Sequence, residues 1–285
     1  LVVFLICLLG ALPKALAFET ITVNEWSLTP MLEARFGLQF GDNINFGLGA
    51  ADNPAEKERT NSSLSLEPAL SFERNTLGGT LFGKASVVAS ANLLEGEISG
   101  QFARGGDSRI DHDEAYIGWR NDTYSLTIGP RYLMIGDGLL IGDGNFDTGS
   151  EQGEYWVAPF QAWRNAVVFA ATGDFVRSDV FWLQSDGGFG DSRLYGVNIE
   201  NVDTRFGRYA LMFVEVYDGD RLQYDGVQSW NLRALDVPVP HLPALKLYGE
   251  VVAQTGSDDD GNGADVDGLG WYLETALTIP KLAWP

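Results

Sequence analysis

The sequence predicts an all-β chain, a transmembrane antiparallel up-and-down β-barrel showing about 13–14 of some 16–18 strands. Three observations predict it. Apolar and polar residues alternate in segments separated by Gly, Asn, Asp and Pro clusters, the period of strands and not of helices. One face of the cleanest segments carries no charge while the other carries many. No run past the N-terminal stretch approaches the roughly 20 apolar residues that a membrane helix needs.

The apolar run Leu1–Leu12 is too short to span a bilayer and is followed by Ala15-Leu16-Ala17, the pattern of a secretory signal and its A-x-A cleavage site. Residues 1–17 are therefore expected to be a signal peptide and residues 18–285 the barrel, with a positive n-region expected upstream of Leu1. The single cysteine, Cys7, lies inside that signal, and Ile6 beside it is a poor fit to a lipoprotein site. A mature chain without thiol excludes a disulfide scaffold and Cys-based chemistry.

The strands follow in order. Leu32, Ala34, Phe36, Leu38 and Phe40 share a face opposite Glu33, Arg35, Gly37 and Gln39. Leu64, Leu66, Pro68, Leu70 and Phe72 oppose Ser63, Ser65, Glu67, Ala69, Ser71 and Glu73. Leu81, Gly83, Ala85, Val87 and Ala89 oppose a face with Lys84, and Ala115, Ile117 and Trp119 one with Glu114 and Arg120. Leu245, Leu247, Gly249, Val251 and Ala253 oppose Lys246 and Glu250, and Trp271, Leu273, Thr275 and Leu277 oppose Glu274. A charge on a lipid-facing position costs about 2–4 kcal/mol for Arg or Lys at mid-bilayer, so exclusion on one face only implies lipid on that side and water on the other. Phe40, Phe72, Trp119, Trp230 and Trp271 stand at segment ends, where aromatic girdles sit. A soluble β-sandwich also alternates, but its core would not need so many long apolar faces.

Less regular segments are expected near residues 95–105, 123–132, 164–172, 176–184, 193–201, 207–217 and 228–235. Another strand begins at Lys281-Leu-Ala-Trp-Pro285, so further strands are expected beyond it, because an open edge is not viable in lipid. The formal net charge of −20 argues against nucleic acid as a partner, and the acids gather in loop-like stretches such as Asp258-Asp-Asp260 and Asp265-Val-Asp267.

The most distinctive stretch is Ile128-Gly-Pro-Arg131-Tyr-Leu-Met-Ile-Gly136-Asp-Gly-Leu-Leu-Ile-Gly142-Asp-Gly144. With Trp230-Asn-Leu-Arg233, Leu247-Tyr-Gly-Glu250, Ala253-Gln-Thr-Gly256 and Trp271-Tyr-Leu-Glu274 in the same order, it resembles the alginate export family of outer-membrane porins, from about residue 30 onward. Pro130-Arg131-Tyr132 departs from that family in lacking a glutamine after the arginine. The resemblance implies an 18-stranded barrel in the cell outer membrane and passive passage of an anionic polysaccharide. It further implies contact with outer-membrane lipid and lipopolysaccharide, and with periplasmic export partners. Read from the residues alone, the Gly-Asp-Gly triplets are turn chemistry: Gly supplies positive φ and Asp bonds its own backbone. The strand-to-helix context that phosphate cradling requires is missing, and two triplets are too few for a calcium-binding solenoid.

The candidate pore-lining residues are Arg35, Arg120, Arg131, Arg177, Arg233 and Lys246, with Glu250. In the resembled family a basic constriction draws uronate carboxylates, which guanidinium groups meet with paired donors. The alternative is that each cation pairs with a wall carboxylate and only braces the barrel. Asp258, Asp260 and Asn262 match the first half of a calcium loop, but Leu269 stands where its closing Glu belongs, so a solvated acidic hairpin loop is the commoner meaning. No other cofactor is expected. His112, between Asp111 and Asp113, has the makings of a base but no Ser in a nucleophile motif nearby, and His241 sits in a Pro-rich turn. The expected function is that of a non-enzymatic polysaccharide porin. Its rivals are a general diffusion porin for small anions or sugars, and an outer-membrane barrel hydrolase.

Overall fold

The computed structural model describes residues 14–95, 106–142, 160–186, 191–219, 225–257 and 265–278. They form one antiparallel sheet in which neighbours in sequence are neighbours in space. Its long strands are β3 (Trp26–Asp42), β4 (Glu58–Thr76), β5 (Gly79–Asn92), β6 (Ser108–Arg120), β8 (Asn165–Thr172), β9 (Val176–Gln184), β10 (Arg193–Asn201), β11 (Arg208–Asp218), β12 (Gln228–Val239), β13 (Leu242–Ser257) and β14 (Asp265–Leu277). Between β6 and β8 lies the short β7 (Tyr124–Ile128). Two short strands, β1 (Lys14–Ala17) and β2 (Ile21–Val23), both pair with the outer edge of β3. Among the described residues β14 pairs only with β13, and the sheet is not closed. The all-β, up-and-down order agrees with the sequence expectation.

Lys14–Ala17, expected to end the signal, are paired with Met31–Ala34 here. Most of the segment expected near 95–105, and the Lys281–Pro285 stretch, lie outside the described residues, as does the opening apolar run through residue 13.

The register carries the apolar stripe from strand to strand. Leu32 faces Pro68, Ala34 faces Leu66 and Phe36 faces Leu64 across β3 and β4. Leu70 faces Ala85, Ala85 faces Ala115, and Leu81 faces Trp119. At the other end Val251 faces Trp271 and Leu245 faces Leu277. Because side chains alternate across a strand, these pairings put every apolar set on one continuous surface of the sheet.

That surface is the exposed one. Phe36, Leu66, Leu70, Ile117, Val180, Val197, Leu211, Leu232, Val251, Trp271 and Leu273 are all exposed, whereas Ser63, Ser65, Glu67, Ser90, Asn92, Asp113, Asp179, Asn198, Asn231, Arg233 and Glu250 are buried on the opposite face. A water-soluble domain buries in the reverse sense. Here the apolar surface is dressed for hydrocarbon and the polar one is covered by the chain itself.

The connections sort by length. Residues 77–78, 121–123, 173–175, 202–207 and 240–241 join strands at one rim, and residues 43–57, 93–107, 129–164, 185–192, 219–227 and 258–264 at the other. The β2–β3 turn also lies at the first rim, where Asn24 (φ 48°) and Glu25 (φ 70°) both take left-handed backbone, as a two-residue hairpin turn requires. Short turns at one rim and long loops at the other are the pattern of outer-membrane barrels. Among the described residues no helix is long and apolar enough to cross a membrane.

Candidate functional site

The site begins where β7 stops. Gly129 takes φ 117°, and a Cβ there would stand 2.4 Å from the carbonyl oxygen of Ala115, so only glycine fits this bend. Pro130 follows; it has no N–H to continue the ladder, and its carbonyl accepts the Ala115 N–H at 2.8 Å. The chain then leaves the wall for the polar face. Arg131 and Trp163 form an isolated antiparallel bridge, and further along Ile135 and Ile141 form another around the first Gly-Asp-Gly triplet. In that triplet Gly136 (φ 67°) and Gly138 (φ 82°) have positive φ, as the residue types suggest; Asp143 and Gly144 of the second triplet lie outside the described residues.

Ile135, Ile141 and Trp163 pack into an apolar shoulder made by Ala166, Val168, Phe181, Leu183, Leu194, Met212 and Val214, the polar-face positions of β8–β11. These strands are therefore apolar on both faces over part of their length. The returning chain is held by Asp113, whose Oδ1 accepts the N–H groups of Gln161 and Ala162, each at 2.9 Å. Asp113 and Glu114 are both buried because a bulge shifts the β5–β6 register opposite Ala85–Val87.

Beyond the shoulder runs a polar belt. The side chain of Arg177 meets Asp179 at 3.0 Å, and Asn198 donates to Asp179 at 3.1 Å. Arg233, 1% exposed, donates to Asn198, to Asn231 Oδ1 at 2.7 Å and toward the sulfur of Met212. Asn231 donates in turn to Glu250 Oε2 at 3.1 Å. The Asp137 N–H reaches Glu250 Oε1 at 3.3 Å, and the Tyr272 hydroxyl donates to the Asp137 carboxylate. The belt thus links β9, β10, β12, β13 and β14 to the tip of the inward turn.

The candidate residues separate into three groups. Arg233 and Glu250 come together in the belt. Arg35, Arg120, Arg177 and Lys246 each have a carboxylate partner: Glu33 at 2.6 Å, Glu73 at 2.7 Å, Asp179 at 3.0 Å and Asp236 at 3.2 Å. Arg120 and Lys246 also lie at the short-turn rim, away from the belt. Arg131 forms no salt bridge among the described residues: its guanidinium lies 5.3 Å from the Tyr116 ring centre and donates to the Thr127 hydroxyl and, at 3.4 Å, to the Tyr132 carbonyl. Asp258, Asp260 and Asn262 lie outside the described residues, and no group of metal-ligating side chains occurs among those described. Leu269 is an exposed residue of β14. His112 is exposed, with its Nδ1 2.9 Å from Asp111 Oδ1.

Sequence reasoning passed over Asn198, Asn231, Asp137 and Tyr272. The readable signal was the alternation itself, which places Asn198, Asn231 and Tyr272 on the same face as Arg233 and Glu250.

No protein-family model matches the chain, and no curated protein matches it. Among solved structures it is similar to "Copper transporter OprC", with 8% identity, a TM-score of 0.39, and 92% of this chain covering 48% of that one. It is also similar to "The FrpB iron transporter from Neisseria meningitidis (F3-3 variant)", with 10% identity, a TM-score of 0.41, and 92% of this chain covering 46% of that one. The chain spans about half the length of the solved structures it matches.

Proposed function

We propose that this chain forms the wall of an outer-membrane β-barrel channel, and that the channel passes an anionic polysaccharide, as the resemblance to the alginate export family implies. The observation that carries the membrane reading is the inverted burial. Large apolar side chains cover one continuous exposed face while carboxylates, guanidinium groups and amides are buried on the other. Only a wall between hydrocarbon and an aqueous interior favours both faces at once. In such a barrel the long-loop rim faces outward and the short turns face the periplasm. Passage is passive and no bond is made or broken, so no residue is assigned a catalytic role.

What favours an anionic cargo is Arg131, a cation stacked on Tyr116 at the root of the inward turn with its charge not committed to a carboxylate. A second reading, a diffusion porin for small anions or sugars, is favoured by the pairing of Arg35, Arg120, Arg177 and Lys246 with wall acids, which cancels much of their field.

Planar-bilayer recording of the full-length protein tests both. The polysaccharide reading expects anion-selective reversal potentials and block by polyuronate that weakens in Arg131→Ala. Passage of chloride or of a neutral sugar with no polymer block selects the second reading, and cation preference with no polymer block counts against the first. Recovery of the chain from cells without detergent, with no conductance, removes both. Ester or peptide hydrolysis lost in His112→Ala would establish the hydrolase instead.

A further inference from the structure

The Ile135–Ile141 turn is fastened on two sides by forces of different kinds. Its ends, Ile135 and Ile141, sink into the apolar shoulder of β8–β11. Its tip is held by direction-dependent contacts on the far side of the belt: the Asp137 N–H on Glu250 of β13 and the Tyr272 hydroxyl of β14 on the Asp137 carboxylate. Gly136 is seated against the belt, where a Cβ would stand 2.6 Å from Arg233 Cδ and 2.8 Å from Glu250 Oε1. Apolar packing alone lets a turn settle at several heights, because it has no preferred direction. Two hydrogen bonds involving carboxylates, one at each end of the Asp137 residue, remove that freedom.

We propose that this turn is a fixed constriction of the channel and that Tyr272 is the positioning residue that sets its distance from β13 and β14. The inference rests on the channel reading. Asp137 is the one titratable group of the turn and is exposed on the polar face, so Tyr272 also fixes where a passing solute meets a negative charge.

The test is single-channel recording of Tyr272→Phe, which removes only the hydroxyl, alongside thiol labelling of Leu139→Cys in both backgrounds. A hydrogen bond to a charged group is strong enough that its loss is expected to shift the docked-to-released ratio of the turn about tenfold or more. The expected result is higher unit conductance with added current noise, and faster labelling at position 139. If Tyr272→Phe does not assemble, Gly136→Ala, which alters no strand, is expected to release the turn in the same way. Unchanged conductance, noise and labelling in an assembled variant overturns the proposal while leaving the channel intact. Absence of any conductance in the unsubstituted full-length protein removes the channel reading and this inference with it.

Discussion

Arg233 and Glu250 are opposite each other in the β12–β13 register, yet their charges are joined through a third residue: the Asn231 amide accepts from Arg233 and donates to Glu250. An amide presents an acceptor and a donor at once, so it satisfies both ions where each is almost wholly covered. Glu250 keeps its second oxygen for the inward turn.

Replacing Arg233 by Leu is expected to be costly, because it removes the donor that Asn198 and Asn231 both use and leaves Glu250 without a nearby cation. Breaking a buried charged network in this way costs about 3–5 kcal/mol. Urea unfolding in lipid vesicles measures it. Arg233→Lys is expected to recover little, since one ammonium cannot reach partners on β10 and β12 together.

The two faces should differ sharply in tolerance. Leu232→Arg places a charge on the exposed apolar surface and is expected to cost about 2–4 kcal/mol if that residue lies near mid-bilayer depth. Gln254→Arg, on the polar face beside Ser229, is expected to cost far less. Paired unfolding curves in the same lipid check the difference.

Asp113→Ala leaves the N–H groups of Gln161 and Ala162 without their shared acceptor, at about 1–3 kcal/mol for each unsatisfied group. The expected outcome is faster amide hydrogen exchange at residues 160–163 with β3–β5 unchanged. Asp113→Asn, which retains the oxygen, is expected to lie between.

The loop between β3 and β4 carries a pH dependence of defined sign. Arg59 donates to both carboxylate oxygens of Glu56, at 2.7 and 3.2 Å, and this hydrogen bonding holds the Glu56 carboxyl below its ordinary value. A depressed folded value means that the stabilisation is complete above the ordinary carboxylate range and is lost as pH falls through the folded value. Proteolysis within residues 43–57 by an acid-active protease should therefore accelerate on acidification, and Glu56→Gln should flatten that response.

The alternation from Leu32 to Phe40, from Leu64 to Phe72 and from Trp271 to Leu277 was legible because both faces have uniform surroundings: one apolar, one polar. It blurs in β8–β11, where Val168, Phe181, Leu183 and Met212 are apolar on the inner face to receive Ile135, Ile141 and Trp163. That partner is remote in sequence, so local period cannot reveal it. The bulge at Asp113–Glu114 was hidden for a similar reason: one extra residue reverses the phase, and the regular stretch from Ala115 shows only its far side. Of the candidate cations, residue type and face were readable, but their pairing was not. Glu73 and Asp236 become partners of Arg120 and Lys246 only through the register of neighbouring strands.

Whether hydrocarbon touches the apolar face is decided most directly by fluorescence quenching along β12 and β13. Single-cysteine probes at Leu232, Trp230 and Val251, and at Ser229 and Gln254, would be compared in vesicles with a lipid-chain quencher and with a water-soluble one. The expected result is lipid quenching of the first three and aqueous quenching of the last two. Aqueous quenching of the first three, or an apolar face turned inward and reached by neither quencher, would contradict a membrane-spanning wall.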